Sequence, residues 1–151
     1  MIELERPADL ARYVGKEIGV SDWLTVDQAI IDKFAEATGD HQWIHVDVER
    51  AKREMPDGKT IAHGYLTLSL VPRLAQTIYR VKKRSRGLNY GSNRIRFTGQ
   101  VPAGSRIRLH QKIKSVEPVE GGVRITSKST VEVEGAERPA LVAETISMQF
   151  D

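Results

Sequence analysis

The sequence predicts an α+β domain in which an antiparallel sheet wraps one long buried helix. Three observations predict it. The apolar period is helical in the first half and becomes two residues after about residue 86. One stretch, from His63-Gly64 to about Tyr79, is apolar on almost every side. Turn signals separate the later alternating runs. Segregated helices and strands favour α+β packing, because each element must bury its apolar side against another layer. A length of 151 residues suits a single domain spanning 1–151.

The first helix is expected over Val26–Thr38. Thr25 is the expected N-cap, with Gln28 completing a capping box. Ile30, Ile31, Phe34 and Ala37 share one side, and Gly39 suits a left-handed stop. A short helix follows over Val48–Arg53, capped by Asp47, and Pro56-Asp57-Gly58 marks a turn. In the helix from His63-Gly64, residues Leu66, Leu68, Leu70, Val71, Leu74 and Ile78 leave almost no polar stripe, so burial on nearly all sides is expected. Pro72 should kink or break it.

Asn89–Phe97 reads as a strand entered from the basic loop Lys82–Arg86. In Ser105–Lys114 the residues Ile107, Leu109, Gln111 and Ile113 alternate with Arg106, Arg108, His110, Lys112 and Lys114, giving one buried and one wet face. Glu120-Gly121-Gly122 and Glu134-Gly135-Ala136 are turn signals. Val123, Ile125, Val131 and Val133 continue the inward phase, and Val142, Ile146, Met148 and Phe150 mark a final strand. A further strand is expected around Glu17–Thr25. A buried helix wrapped by such a meander is a hot-dog arrangement.

Composition excludes several chemistries. There is no cysteine, hence no disulfide, thiolate nucleophile or Cys-based zinc site. The polar start MIELERPADL lacks the features of a signal peptide, and no apolar run approaches the roughly 20 residues of a membrane span. A cytoplasmic protein without membrane contact is expected. The net charge of +3 is small, and no basic stretch carries interleaved aromatics, so no nucleic-acid partner is expected.

The densest chemistry lies in Gly39-Asp40-His41-Gln42-Trp43-Ile44-His45. Asp40 and His45 stand five residues apart just after a helix stop. A carboxylate and an imidazole aimed at one point can activate water and move a proton near neutral pH. The same Gly-Asp pair also suits plain turn chemistry, with Asp bonding nearby amides. His41 and His45 have the four-residue spacing of a helical zinc site, but the accompanying glutamate is missing and Gly39 interrupts the helix. No metal is expected.

Those residues resemble the hydratase motif of the MaoC-like family, the (R)-specific enoyl-CoA hydratases and related dehydratases. The motif there is Gly-Asp, a few residues, His, then Ala or Ser six positions on. Gly39, Asp40, His45 and Ala51 match that spacing. Ile61-Ala62-His63-Gly64 is similar to the start of the family's central helix, and Arg96-Phe97 with Val101-Pro102-Ala103-Gly104 to its characteristic strand and turn. The likeness spans about residues 20–150, and Gly-Asp-His-Gln-Trp-Ile-His is similar to the NodN-like branch. Two features depart from the wider pattern: Gln42-Trp43 stands where Asn-Pro is usual, and Pro72 lies in the helix.

The resemblance implies reversible syn addition of water to a trans-2-enoyl-CoA, giving the (3R)-hydroxyacyl-CoA, with Asp40 and His45 as acid/base pair. The alternatives are a (3R)-hydroxyacyl-carrier-protein dehydratase, a non-catalytic acyl-thioester binder and a thioesterase. No cofactor is implied beyond the coenzyme A or phosphopantetheine that carries the acyl group. The backbone N–H of Gly64, at a helix N-terminus, is the candidate enolate donor; glycine there also suits tight helix–sheet packing. His63 is a substrate-side or structural candidate. Asn89, Tyr90, Gly91 and Asn93 are candidates for substrate contact or for turn chemistry. Lys82 and Arg84 read first as a solvated loop, and also suit coenzyme A phosphates or an acidic carrier protein. A homodimer is expected, since pairing hides a sheet edge.

Overall fold

The computed structural model describes residues 1–151. Its elements in chain order are β1 (Ile2–Leu4), a 3-10 segment (Pro7–Tyr13), β2 (Glu17–Val20), β3 (Leu24–Val26), α1 (Gln28–Thr38), α2 (Trp43–Val46) and α3 (Val48–Glu54). They continue with α4 (Gly64–Ala75), β4 (Tyr79–Val81), β5 (Arg86–Arg96), β6 (Ser105–Val119), β7 (Gly122–Val133) and β8 (Leu141–Phe150). The main sheet is six-stranded, in the order β2-β6-β7-β8-β5, with β3 also pairing β6. All its pairings are antiparallel. β1 and β4 form a separate parallel pair. α4 packs across β6, β7 and β8. This is the helix-on-antiparallel-sheet arrangement of a hot-dog. No helix is long and apolar enough to cross a membrane.

The first helix starts two residues later than expected. Thr25 and Val26 pair with Arg106 and Ser105 in β3, and Val26 is fully buried. The cap is therefore Asp27, whose side chain accepts from the Ile30 N–H. Sheet pairing outcompetes the Thr25 capping box, because the buried valine and its ladder bonds hold that residue extended. Gly39 closes α1 at φ 77, with its N–H on the Ala35 carbonyl.

The central helix is shorter than its apolar pattern. Pro72 lies in the last turn of α4, and the chain then tightens, with Thr77 N–H on Leu74 O and Ile78 N–H on Ala75 O. Tyr79 enters β4 rather than ending the helix. Nor is α4 covered all round. Leu66, Thr67, Leu70, Val71 and Leu74 are buried, while Tyr65, Ser69, Pro72 and Arg73 are exposed.

β6 alternates as expected, with Ile107, Leu109 and Ile113 fully buried. Its outer face is wet and charge-matched: Arg106 pairs Glu134, Arg108 pairs Glu132 and Lys114 pairs Glu144. β8 runs in the opposite phase to its bulky residues. Leu141, Ala143 and Gln149 face the core, and Val142, Ile146, Met148 and Phe150 are half-buried on the other side. Facing polar residues make that inner surface tolerable, since Ser129 Oγ and Thr145 Oγ1 hydrogen-bond to each other at 3.0 Å. β5 is one edge of the sheet, opposite the β2 and β3 edge, and is exposed along nearly its whole length.

Leu109 is 0% exposed within the main core. Leu109→Ala should therefore cost about 2–5 kcal/mol, read as a lowered urea midpoint with an unchanged slope.

Candidate active site

The site assembles where α1 ends, α2 turns and α4 begins. Gly39 swings the chain out of α1, which leaves Asp40 exposed at the rim. One turn of α2 carries His45 back inward until it is 7% exposed. A second chain segment meets it there. The Ile61 N–H donates to Ile44 O at 3.0 Å, and the His45 Nδ1–H donates to Ile61 O at 2.7 Å. A carbonyl only accepts, so this bond places the proton of neutral His45 on Nδ1 and leaves Nε2 as a bare acceptor.

His63 sits against the same pair. Its ring stacks on that of His45 at 3.8 Å and 23°, and its Nε2–H donates to the backbone carbonyl of Asp40 at 3.0 Å. His63 Nδ1 is buried without a partner. Polar side-chain atoms of Asp40, His45 and His63 lie within 4.8 Å of one another. These donor types suit a transition metal, but the ring geometry opposes one. Planes tilted by 23° at 3.8 Å intersect far beyond the roughly 2.0–2.1 Å reach of a metal–nitrogen bond, so one ion cannot take both imidazoles as they stand. His41 is exposed and lies outside the cluster.

A cleft of about 410 Å³ opens beside His45, lined by Gly64, Thr67, Phe97, Val101 and Ala140 among others. Its wall forms because the turn after β5 runs against the segment before α4. Ala62 N–H bonds Val101 O, Ala103 N–H bonds Thr60 O, and Ile61 bridges Pro102. Gly64 is the first residue of α4, and His63 makes no side-chain cap. The Leu66 and Thr67 amides donate to His63 O, while those of Gly64 and Tyr65 precede the first intrahelical bond. A Cβ at Gly64 would lie 3.0 Å from the Phe97 ring, so glycine keeps this part of the cleft open.

The other candidates lie elsewhere in the chain. Asn93 on β5 is four residues before Phe97, which follows the strand, about 13 Å along an extended chain, and Asn89, Tyr90 and Gly91 lie further still. Tyr90 and Asn93 line a separate depression, where Asn93 donates to Glu144 at 2.8 Å. Lys82 lies 3.8 Å from Glu3 and 3.7 Å from Glu5. Lys82 and Arg84 follow the far end of α4, whose 12 residues span about 18 Å. Within one chain, then, Asp40, His45, His63 and Gly64 come together, while the β5 and basic-loop residues do not join them. Two unforeseen residues do reach the site. Gln28 donates to His45 O at 2.8 Å and accepts from Thr60 Oγ1. These partners are 17 and 32 residues away, so no local pattern signals them.

Comparison with known proteins bears on this geometry. A protein-family model described as "MaoC like domain" matches residues 9–135. The chain is 50% identical over 147 residues to the 3-hydroxyacyl-thioester dehydratase Z of Mycobacterium tuberculosis, covering 97% of both. It is 45% identical over 147 residues to nodulation protein N of Rhizobium leguminosarum bv. viciae, covering 95% of this chain and 91% of that one. The structure of the R-hydratase PhaJ1 from Pseudomonas aeruginosa superposes with a TM-score of 0.71 at 20% identity, over 91% of this chain and 82% of that one.

Burial pushes the His45 pKa below the ordinary 6.5. The hydrogen bond to Ile61 opposes that shift, the His63 ring adds to it, and the Asp40 charge opposes it. NMR titration of the His45 ring should therefore give a midpoint under 6.5. The unfolded chain takes up this proton first, so the group destabilises the fold as pH falls below 6.5. A midpoint at or above the ordinary value would contradict the burial argument.

Proposed function

We propose, for a chain that belongs to the MaoC-like dehydratase family and is by that membership a hydro-lyase, that Asp40 and His45 hold one water between them. That water adds syn to a trans-2-enoyl thioester and gives the (3R)-hydroxyacyl thioester, or leaves in reverse. In the forward direction its oxygen bonds to C3 while its proton passes to the pair. The pair delivers one proton to C2, so its proton count is restored each turnover. His45 suits this role because its Nδ1–H is committed to Ile61 and its Nε2 is bare.

Charge develops on the thioester oxygen as the enolate forms. The free N–H of Gly64, at the start of α4, is the donor we assign to it; preset donors of this kind are often the largest catalytic contribution. The helix dipole adds positive potential there. The reaction needs proton transfers and a fixed oxyanion site, and the acyl group arrives on coenzyme A or a carrier protein. The observation that carries this reading is the convergence of the Asp40 and His45 side chains beside a cleft that Gly64 lines.

A second copy of the chain is the proposed partner. β5 presents an unpaired edge, Leu88 and Tyr90 on it are exposed, and Tyr65 and Phe97 form an exposed edge-to-face pair beside it. An edge of this length invites strand pairing.

Asp40→Asn and His45→Gln should each lower hydration of crotonyl-CoA by about 10²-fold or more, with circular dichroism unchanged. Loss of the enoyl-thioester absorbance measures it, and wild-type turnover in both variants would end the mechanism. Sedimentation equilibrium should give twice the chain mass; a monomer at all concentrations would remove the partner proposal.

A further inference from the structure

Gln28, His45, Ile61 and Thr60 form a ring closed by three hydrogen bonds and the Thr60–Ile61 chain link, with Asp32 attached at Gln28. The Gln28 amide nitrogen donates to His45 O at 2.8 Å and to Asp32 Oδ1 at 2.9 Å. Its amide oxygen accepts from Thr60 Oγ1 at 2.5 Å. Thr60 is bonded in sequence to Ile61, whose carbonyl accepts the His45 Nδ1–H. The orientation of the amide follows from chemistry, since a carbonyl and a carboxylate only accept and must face the NH₂. Thr60 is 2% exposed and Gln28 is half-buried, so the Thr60 end of the ring lies away from solvent.

We infer that Gln28 is a positioning residue for His45. Together with the Ile61 N–H bond to Ile44 O, it sets the distance between the α2 backbone and the Thr60–Ile61 segment, and that distance decides whether Nδ1 reaches the Ile61 carbonyl. If the two segments part, the imidazole loses the acceptor that holds its proton on Nδ1. Nε2 then carries the proton part of the time and stops being a constant acceptor facing the cleft. The ring thus acts on tautomer and aim, the two properties a proton-transfer histidine needs. The glutamine amide is suited to this because it donates on one side and accepts on the other. A glutamate here could not donate to His45 O and would add a charge beside Asp32.

This inference rests on the proposed role of His45, and the test reads it separately. Gln28→Leu keeps the size and removes all three bonds. It should lower kcat on the order of 10-fold, with KM changed by less than about twofold. Nitrogen–proton correlation NMR of the His45 ring should change from a single Nδ1–H tautomer to an exchanging mixture. Thr60→Val should act in the same direction, and Thr60→Ser, which restores the hydroxyl, should return both readings to wild type. A Gln28→Leu protein with an unchanged Nδ1–H signature overturns the inference, as does a kcat that falls only in proportion to the folded fraction. If Gln28→Leu does not fold, Thr60→Val carries the same two readings. If even the wild type hydrates no enoyl thioester, the functional reading fails, while the NMR signature still decides the role of Gln28.

Discussion

The hydrogen bond from His45 Nδ1 to the Ile61 carbonyl, 2.7 Å long, is the contact on which the site depends. It places one proton, exposes one lone pair and ties the α1–α2 corner to the segment that leads into α4. Without it, a buried imidazole would have an unsatisfied N–H, a cost of about 1–3 kcal/mol. The same segment also supplies Ala62, His63 and Gly64 to the site. One backbone stretch therefore orients the acceptor and delivers the helix amides. The proposed proton-transfer group and the proposed oxyanion donor thus share a support.

The wider fold exists to hold that junction still. The turn at Val101–Ala103 bonds Thr60 and Ala62 from the outside. β6 and β7 bury the apolar face that α4 turns toward them. His63 closes the arrangement by stacking on His45 and bonding the Asp40 backbone, which holds an exposed carboxylate near a buried ring. Asp40 thus has solvent on one side and the cluster on the other. The open side of the molecule is different in kind. β5 and the exposed face of α4 have polar backbone and apolar side chains left uncovered.

Particular residues show where sequence reading holds and where it stops. Gly39 at a helix end and the one-residue alternation of β6 are local matters of backbone freedom and period, and both were legible. Thr25 was misread as a cap because its strand partner, Arg106, is 81 positions away. In β8 the larger residues marked the strand but not its inner face, since Ser127 and Ser129 of β7 stand beside Thr145 and Ala143 on the side away from them. The apolar run through Ile78 looked helical, but pairing of β4 with β1 claimed its end.

The local code was enough to specify the main helices and the long strands after residue 86, the placement of a carboxylate and an imidazole after a helix stop, and the glycine that opens α4. Those follow from spacing and backbone preference, which act over a few residues. The folded chain alone decided that Ile61 would fix the His45 tautomer, that Gln28 and Thr60 would stand behind it, and that Lys82 and Arg84 would fall at the opposite end of the helix. Each of these depends on groups distant along the chain being packed into one place, and no short-range pattern encodes that.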